Sequence, residues 1–500
     1  MIVPGGELPK PTDVLLIHPP YHARAGSGVI PPIGLAYVAS ALESKGISVS
    51  LLDCALDCRS QSPIGLDRFR RYVADRLERM PPSLCIGVGP TTTPALKSLY
   101  ALAQIVKQRC LSVPIVYGGP FASIQGQESI FFDILEATAL VRGEGEIVFP
   151  RLVDALRRGD QGKPIAGVVW DASQDTEIAL VEDLDSLQFP ARHLLENQRY
   201  RPSVRRDALD GPCTAIHLSR GCPYRCNFCL APILRRGQVS RRTEDSVFAE
   251  MRDCMARFGI DGFIFYDDCP FMKSRDLNRQ VQQFCAGLRD NVGAARWQIE
   301  LRCDVVANLN PETLRALLSA GCVQINMGIE KATTSGLKGL NKHITRNEIV
   351  TACRHMRATV PEIRVAGTFI LGGWGESEND VEVVIEFAKS LELDFAHFCP
   401  LEVYPGTSLF SETRNGGGAT GWAYNVLEDS NNYWGEMLYE TERLSGRRLL
   451  ELTRRAYQEF YDRPEWLTRF TAMTVPEVRS EAMQIVNEWC HDRFRTNPEV

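Results

Sequence analysis

Short apolar runs alternate with amphipathic stretches along most of this chain. Val14-Leu15-Leu16-Ile17 is a continuous apolar run, broken by His18-Pro19-Pro20-Tyr21, which reads as a strand buried on both faces with a loop at its carboxyl end. Leu35, Val38, Ala39 and Leu42 then recur at helical spacing until Lys45-Gly46 stops the helix. The same alternation predicts strands over 47–52, 84–88 and 113–117 and helices over 66–80 and 95–109. Strands and helices in alternation with short loops define a doubly wound, Rossmann-like parallel sheet over residues 1–170. In such a sheet a ligand lies outside the carboxyl ends of the strands, where the topology switches direction. Here those ends carry Pro19-Pro20-Tyr21, Gly89-Pro90-Thr91, Gly118-Gly119-Pro120 and Arg142-Gly143-Glu144-Gly145-Glu146. Glycine at such turns serves conformation as readily as binding.

Residues 171–211 are weakly periodic and read as a connection between domains. From residue 214 the alternation restarts, with strands over 215–218, 262–266, 297–301, 323–327, 365–371 and 395–403. Helical patterns fill the gaps at 244–258, 275–290, 311–320, 346–358 and 377–391. Six units fall short of the eight that close a full barrel, so residues 212–408 are expected to form a partial (β/α)6 TIM-type barrel. Residues 409–500 begin with a glycine-rich loop, carry Trp422, Tyr424, Tyr433 and Trp434, and read as mostly helical. Core packing is the commonest role for such rings. The fold class is therefore α/β throughout, with a helical C-terminal region.

A hydrophobic content of 44% in 500 residues allows a large core, and the net charge of −6 comes with no basic stripe. That pattern speaks against nucleic acid as a partner. No apolar run approaches the ~20 residues of a membrane span, and the first 13 residues lack a signal-peptide pattern. A cytoplasmic enzyme is the expectation, and its cysteines are expected to be reduced. Most of them, such as Cys85, Cys285 and Cys353, sit in apolar runs as core residues.

Three cysteines depart from that pattern: Cys222, Cys226 and Cys229, within Gly221-Cys222-Pro223-Tyr224-Arg225-Cys226-Asn227-Phe228-Cys229. Random placement of 16 cysteines would give this spacing roughly 0.02 times in a chain of this length. Three soft thiolates on one loop suit iron–sulfur or zinc, and a structural zinc site would need a fourth ligand that no nearby pair supplies. The loop follows the first barrel strand, so it lies at the carboxyl face where barrel enzymes keep their chemistry. Asp267-Asp268, Arg302 with Asp304, Gly328 with Glu330, and Gly372-Gly373 stand at the other strand ends of the same face. Each acidic residue alone would more often be a cap or surface partner. Their common location is what singles them out.

The cysteine motif, with Phe228 before its last cysteine, resembles the cluster loop of the radical S-adenosylmethionine (SAM) enzymes. Pro31-Pro32-Ile33-Gly34-Leu35-Ala36, Val116-Tyr117-Gly118-Gly119-Pro120 and Val141-Arg142-Gly143-Glu144-Gly145-Glu146 resemble the cobalamin-binding domain of the cobalamin-dependent members. The resemblance implies a 4Fe-4S cluster on Cys222, Cys226 and Cys229, whose open iron binds SAM and whose electron yields a 5′-deoxyadenosyl radical. It implies SAM contacts at Phe228, Asp267, Arg302, Gly328, Glu330, Gly372 and Gly373. It implies cobalamin contacts at Pro19, Pro20, Tyr21, Pro32, Gly34, Gly89, Thr91, Gly118, Gly119, Pro120, Gly143, Glu144, Gly145 and Glu146. No Asp-x-His-x-x-Gly motif marks a lower cobalt ligand, although His18 and His22 are near. The family's two-glycine, one-glutamate motif is also absent, and Asp267-Asp268 stands in its place. The implied activity is methylation of an unactivated carbon, or a phosphinate phosphorus, of a small metabolite, lipid or peptide. A flavodoxin- or ferredoxin-type reductant would supply the electron. A radical cyclase, a 3-amino-3-carboxypropyl transferase and a non-catalytic redox sensor are the alternatives.

Overall fold

A computed structural model describes residues 12–20, 30–58, 66–79, 81–92, 95–109, 112–200, 211–373, 375–412 and 443–473. The sequence-based expectations for Tyr21, His22, the four C-terminal aromatics and the last helix lie outside these residues.

The first sheet comprises β1 (Val14–His18), β2 (Val49–Asp53), β3 (Cys85–Val88), β4 (Ile115–Gly118), β5 (Ala139–Val141) and β6 (Val168–Val169). Its order is β2-β1-β3-β4-β5-β6, with β6 antiparallel to β5 and the rest parallel. Every residue of β1 is buried, which is why its sequence is apolar without alternation. Separate apolar clusters cover the two faces of the sheet, one built on Leu15 and Ile17 and the other on Val14 and Leu16. β1 lies between β2 and β3, so the crevice at the topology switch opens above β1 and β3.

A hairpin and a second sheet follow: β7 (Cys213–Ile216), β8 (Ser219–Arg220), β9 (Ser240–Arg241), β10 (Gly262–Phe265), β11 (Arg296–Arg302), β12 (Cys322–Glu330), β13 (Arg364–Leu371) and β14 (Phe395–Pro400). The second sheet has the order β14-β13-β12-β11-β10-β7, all parallel. Its two end strands are not paired with each other, so the barrel is open, as six units predict. The edge at β14 is covered rather than left bare. The hydroxyls of Tyr457 and Tyr461, on the helix Gly446–Tyr461, accept from Phe398 and Ala396 backbone amides at 3.2 and 3.1 Å. Trp466 Nε1 donates to the Asp394 carbonyl at 2.6 Å.

Candidate active site

The cysteine loop is held from below before any cofactor is considered. β8 leads into it and pairs antiparallel with β9. At Gly221 the backbone takes a φ of +94°, and an added Cβ would lie 2.1 Å from the Gln238 carbonyl oxygen. Only glycine passes there. The Gly221 amide donates to Asp268 Oδ2 at 3.0 Å. Asp267 accepts from the Leu218 amide at 3.0 Å, from the Ser219 hydroxyl at 2.7 Å and from the Ser219 amide. The carboxylate of Asp267, singled out in the sequence as a SAM contact, props the entry to the loop. Burial pushes its pKa up to about 7, against the hydrogen bonds it accepts.

The far half of the loop is sewn to the segment after the helix Thr334–Gly339. Asn227 donates through its amide to the Leu340 carbonyl at 3.2 Å and through Nδ2 to Gly339 at 2.8 Å. Asn341 Nδ2 donates to the Arg225 carbonyl at 2.5 Å. Phe228 packs on Leu340, Ile370, Leu401 and Leu409, and so pins the last cysteine against the carboxyl ends of β13 and β14.

All three thiols are half-buried. Burial pushes Cys229 up to about 12 and raises Cys226 less, and the three interact electrostatically with one another. Such thiols stay protonated until a cation offsets the lost hydration. Cys222 runs the other way. The neighbouring buried thiol of Cys269 draws it below the usual thiol range. Among the described residues no three His, Cys, Asp or Glu side chains are drawn together as a metal cage. Cys269 was not legible in the sequence as a member of this group, because only the loop after β10 carries it there.

Arg302, at the end of β11, donates to Asp304 Oδ1 at 2.9 Å and to the Lys342 carbonyl at 3.2 Å. Its guanidinium stacks 3.6 Å from the centre of the Tyr224 ring, inside the cysteine loop. Glu330, at the end of β12, meets Lys342 Nζ at 2.8 Å in a buried pair. Gly328 leaves the room for that pair, since a Cβ there would fall 2.5 Å from Glu330 Oε1. After β13, the Gly372 carbonyl accepts from Lys331 Nζ at 2.7 Å, and Lys331 also reaches Glu376 at 2.7 Å. The strand-end residues singled out in the sequence are therefore already engaged, Arg302 with Asp304 and the Tyr224 ring, Glu330 with Lys342, and Gly372 with Lys331.

At the first sheet the loops after β3, β4 and β5 are laced together. The Thr91 amide donates to the Gly118 carbonyl at 2.8 Å, and Thr91 Oγ1 accepts from the Ala122 amide at 3.0 Å. The Gly143 amide donates to Ser123 Oγ at 2.9 Å, and a Cβ at Gly143, whose φ is +92°, would lie 2.1 Å from the Ala179 carbonyl. Gly119 likewise faces the Thr91 amide at 2.7 Å, and Gly89 faces the Gly118 carbonyl at 3.2 Å. These glycines let chain approach chain. Gly145 is filled in the same way by Val38. Pro19, Pro20 and Pro32 are buried, and Pro120 is half-buried.

Glu144 and Glu146, singled out in the sequence at the end of β5, turn their carboxylates to the other sheet. Arg220, one residue before Gly221, donates to Glu144 Oε1 at 3.1 Å and to Glu146 Oε1 at 2.8 Å. Arg235 donates to Glu144 as well. The carboxyl end of β5 is thereby clamped to the base of the cysteine loop, and the functional edges of the two sheets meet. His18 is buried and paired through Nδ1 with Asp53 Oδ1 at 2.7 Å, and Asp53 Oδ2 accepts from Tyr200 at 2.8 Å. Burial works to raise Asp53, but His18 and these bonds outweigh it and leave the carboxyl below its usual range.

The donor chemistry fits the expected groups. Three thiols on one loop, without a fourth ligand on that loop, suit a cluster that keeps an open iron. On the first sheet Gly34 is exposed, and an added Cβ there would meet nothing within 4 Å, so the first turn of the helix Ile33–Glu43 leaves space for a flat ring.

An open six-stranded parallel barrel with a three-cysteine loop, clamped to a Rossmann-like sheet, defines a radical SAM enzyme with a cobalamin domain. The family model for the radical SAM superfamily matches residues 216–388, and that for the B12 binding domain matches residues 24–153. The chain thus carries a radical SAM region and a B12-binding region together, and the cofactors these imply are a 4Fe-4S cluster, SAM and cobalamin. Among its relatives is a protein of Pyrococcus horikoshii described as an uncharacterized methyltransferase. The two are 27% identical over 476 residues, 92% of this chain and 95% of that protein. The anaerobic magnesium-protoporphyrin IX monomethyl ester cyclase of Cereibacter sphaeroides is 27% identical over 422 residues, 80% of this chain and 64% of that one. The fold is similar to that of the cobalamin-dependent SAM radical enzyme OxsB, solved with aqua-cobalamin. The TM-score is 0.65 at 15% identity, over 95% of this chain and 71% of that chain. No helix among the described residues is long and apolar enough to cross a membrane.

Proposed function

We propose that the chain is a methyltransferase that methylates an unactivated carbon, or a phosphinate phosphorus, of a small metabolite, lipid or peptide. The cobalamin part is assigned to residues 1–170 and the cluster and SAM part to residues 212–408. The observation that carries the reading is the clamp of Arg220 and Arg235 on Glu144 and Glu146. It turns the carboxyl edges of both sheets onto one space, as methyl transfer between two cofactor domains requires. The match to a relative described as a methyltransferase along 92% of the chain supports it.

When bound, the cluster and SAM supply one-electron chemistry and cobalamin supplies a methyl carrier. Cys222, Cys226 and Cys229 would hold the cluster, with Asp267 and Asp268 fixing the loop beneath them. Arg302, held flat on Tyr224, would meet the SAM carboxylate, and Glu330 would accept from its ribose hydroxyls. Gly328, Gly372 and Gly373 would admit the adenine, with Phe228 as a wall. Pro19, Pro20, Pro32, Gly34 and Pro120 would line the cobalamin face.

The test is mass spectrometry of the SAM products formed by anaerobically reconstituted protein given cobalamin and a one-electron reductant of flavodoxin or ferredoxin type. S-adenosylhomocysteine together with 5′-deoxyadenosine is the expected pair. Deoxyadenosine alone would replace methyl transfer by a cyclase-type reaction, and methylthioadenosine would replace it by aminocarboxypropyl transfer. No cleavage would leave a sensor.

A further inference from the structure

The lumen of a closed barrel is filled by layers of branched apolar side chains. This open barrel is built differently. Phe263 and Phe265 of β10, and Trp297, Ile299 and Leu301 of β11, pack toward the helices. Phe265 meets Phe284 of the helix Leu277–Asn291 at 5.5 Å. The alternate residues Ile264, Tyr266, Gln298 and Glu300 therefore face the lumen.

The lumen floor is apolar, because Ile30 and Val323 pack there on Cys213 and Ile264. Gln298 lies in register with Ile264 on one side and Gln324 on the other. It is fully buried, and neither its amide oxygen nor its amide nitrogen has a hydrogen-bond partner. A buried primary amide left without partners is costly, so such a group marks a place where something else binds.

One layer higher, Glu300 is in register with Asn326, and Tyr266 stands beside it, since Phe265 aligns with Ile299. The His217 ring meets the Tyr266 ring edge-on at 6.4 Å. Tyr266 is 50% exposed, and Glu300 is exposed although its strand is central in the sheet. The lumen is therefore hollow at this level. Among the described residues Glu300 has no ion pair. Arg302 above it is engaged with Asp304, and Lys342 with Glu330. His217 remains neutral, because burial lowers it to about 3, and so does not offset the charge.

A carboxylate without a counterion beside an exposed aromatic face is a receptor for an organic cation. We propose that this layer is the substrate pocket and takes a substrate bearing an ammonium or guanidinium group. The cation sits between Glu300 and the Tyr266 ring, and Asn326 and Gln298 bond polar atoms at its lower end. The proposal rests on the enzyme reading above and narrows its substrate class. A lipid or porphyrin would need an apolar wall at this height.

The test is equilibrium dialysis of the reconstituted full chain against radiolabelled n-pentylammonium, with n-pentanol as the uncharged competitor. Glu300→Gln is expected to weaken pentylammonium binding by about tenfold, with the SAM affinity and the cluster's EPR signal unchanged. Pentanol is expected not to compete. Equal competition by pentanol, undiminished binding by Glu300→Gln, or no binding of pentylammonium would overturn the proposal. Cation binding that depends on Glu300, in a protein that forms no S-adenosylhomocysteine, would instead keep the pocket and remove the methyl-transfer reading.

Discussion

Replacing Arg220 with Met should loosen the clamp between the two sheets, and its size can be worked from the contacts. Arg220 is the partner of both Glu144 and Glu146, with side chains 15%, 13% and 5% exposed. Glu144 keeps Arg235 after the change, but Glu146 is left as a buried carboxylate without a cation. Breaking a buried pair on one side costs ~3–5 kcal/mol when the orphan stays charged, and the exposure of the Arg220 side places this pair at the lower bound. The guanidinium also lies 5.0 Å from the centre of the Tyr37 ring, a contact worth about 0.5–1 kcal/mol. A loss of about 3 kcal/mol is expected, read by urea unfolding of the iron-free protein. The Arg220→Met, Glu146→Gln double variant should recover more than half of it, because no buried charge is then left alone. A single variant within about 0.5 kcal/mol of the parent, or a double variant no better than the single, would refute the clamp.

Asp267 gives a pH signature. Its folded pKa of about 7 lies above the ~3.9 of an unfolded aspartate, so between those values the folded state holds a proton that the unfolded state has lost. Stability contributed by this group is then present below about pH 4 and falls as pH rises to about 7. Asp267→Asn should remove that component, so its melting temperature should change less than the parent's between pH 5 and 8; equal slopes would show that Asp267 does not titrate there. Cys226→Ala should lose the iron and the charge-transfer absorbance of the cluster while retaining cobalamin, because the two groups belong to different sheets. Joint loss of both, measured by metal analysis and the corrin absorbance, would contradict that division.

Much of this architecture is written in period and spacing, and what is missing from the sequence has physical causes. All six barrel strands are legible because they are four to nine residues long and their outward positions form one apolar cluster. β5, β6, β8 and β9 are two or three residues long, too short to show a period of two. The three cysteines were legible as a site because their spacing is improbable by chance. Their supports were not. Asp267 and Glu144 look like ligand contacts in sequence because both stand at strand ends, but a strand end serves a neighbouring loop as readily as it serves a ligand. Only the distances decide: Asp267 turns its carboxylate to Leu218 and Ser219, and Glu144 turns toward Arg220 and Arg235. The reverse holds for Glu300, which looks in sequence like an ordinary exposed strand position. Its register places it inside the barrel, where among the described residues no cation pairs with it, and that is what makes it a candidate receptor for a charged substrate.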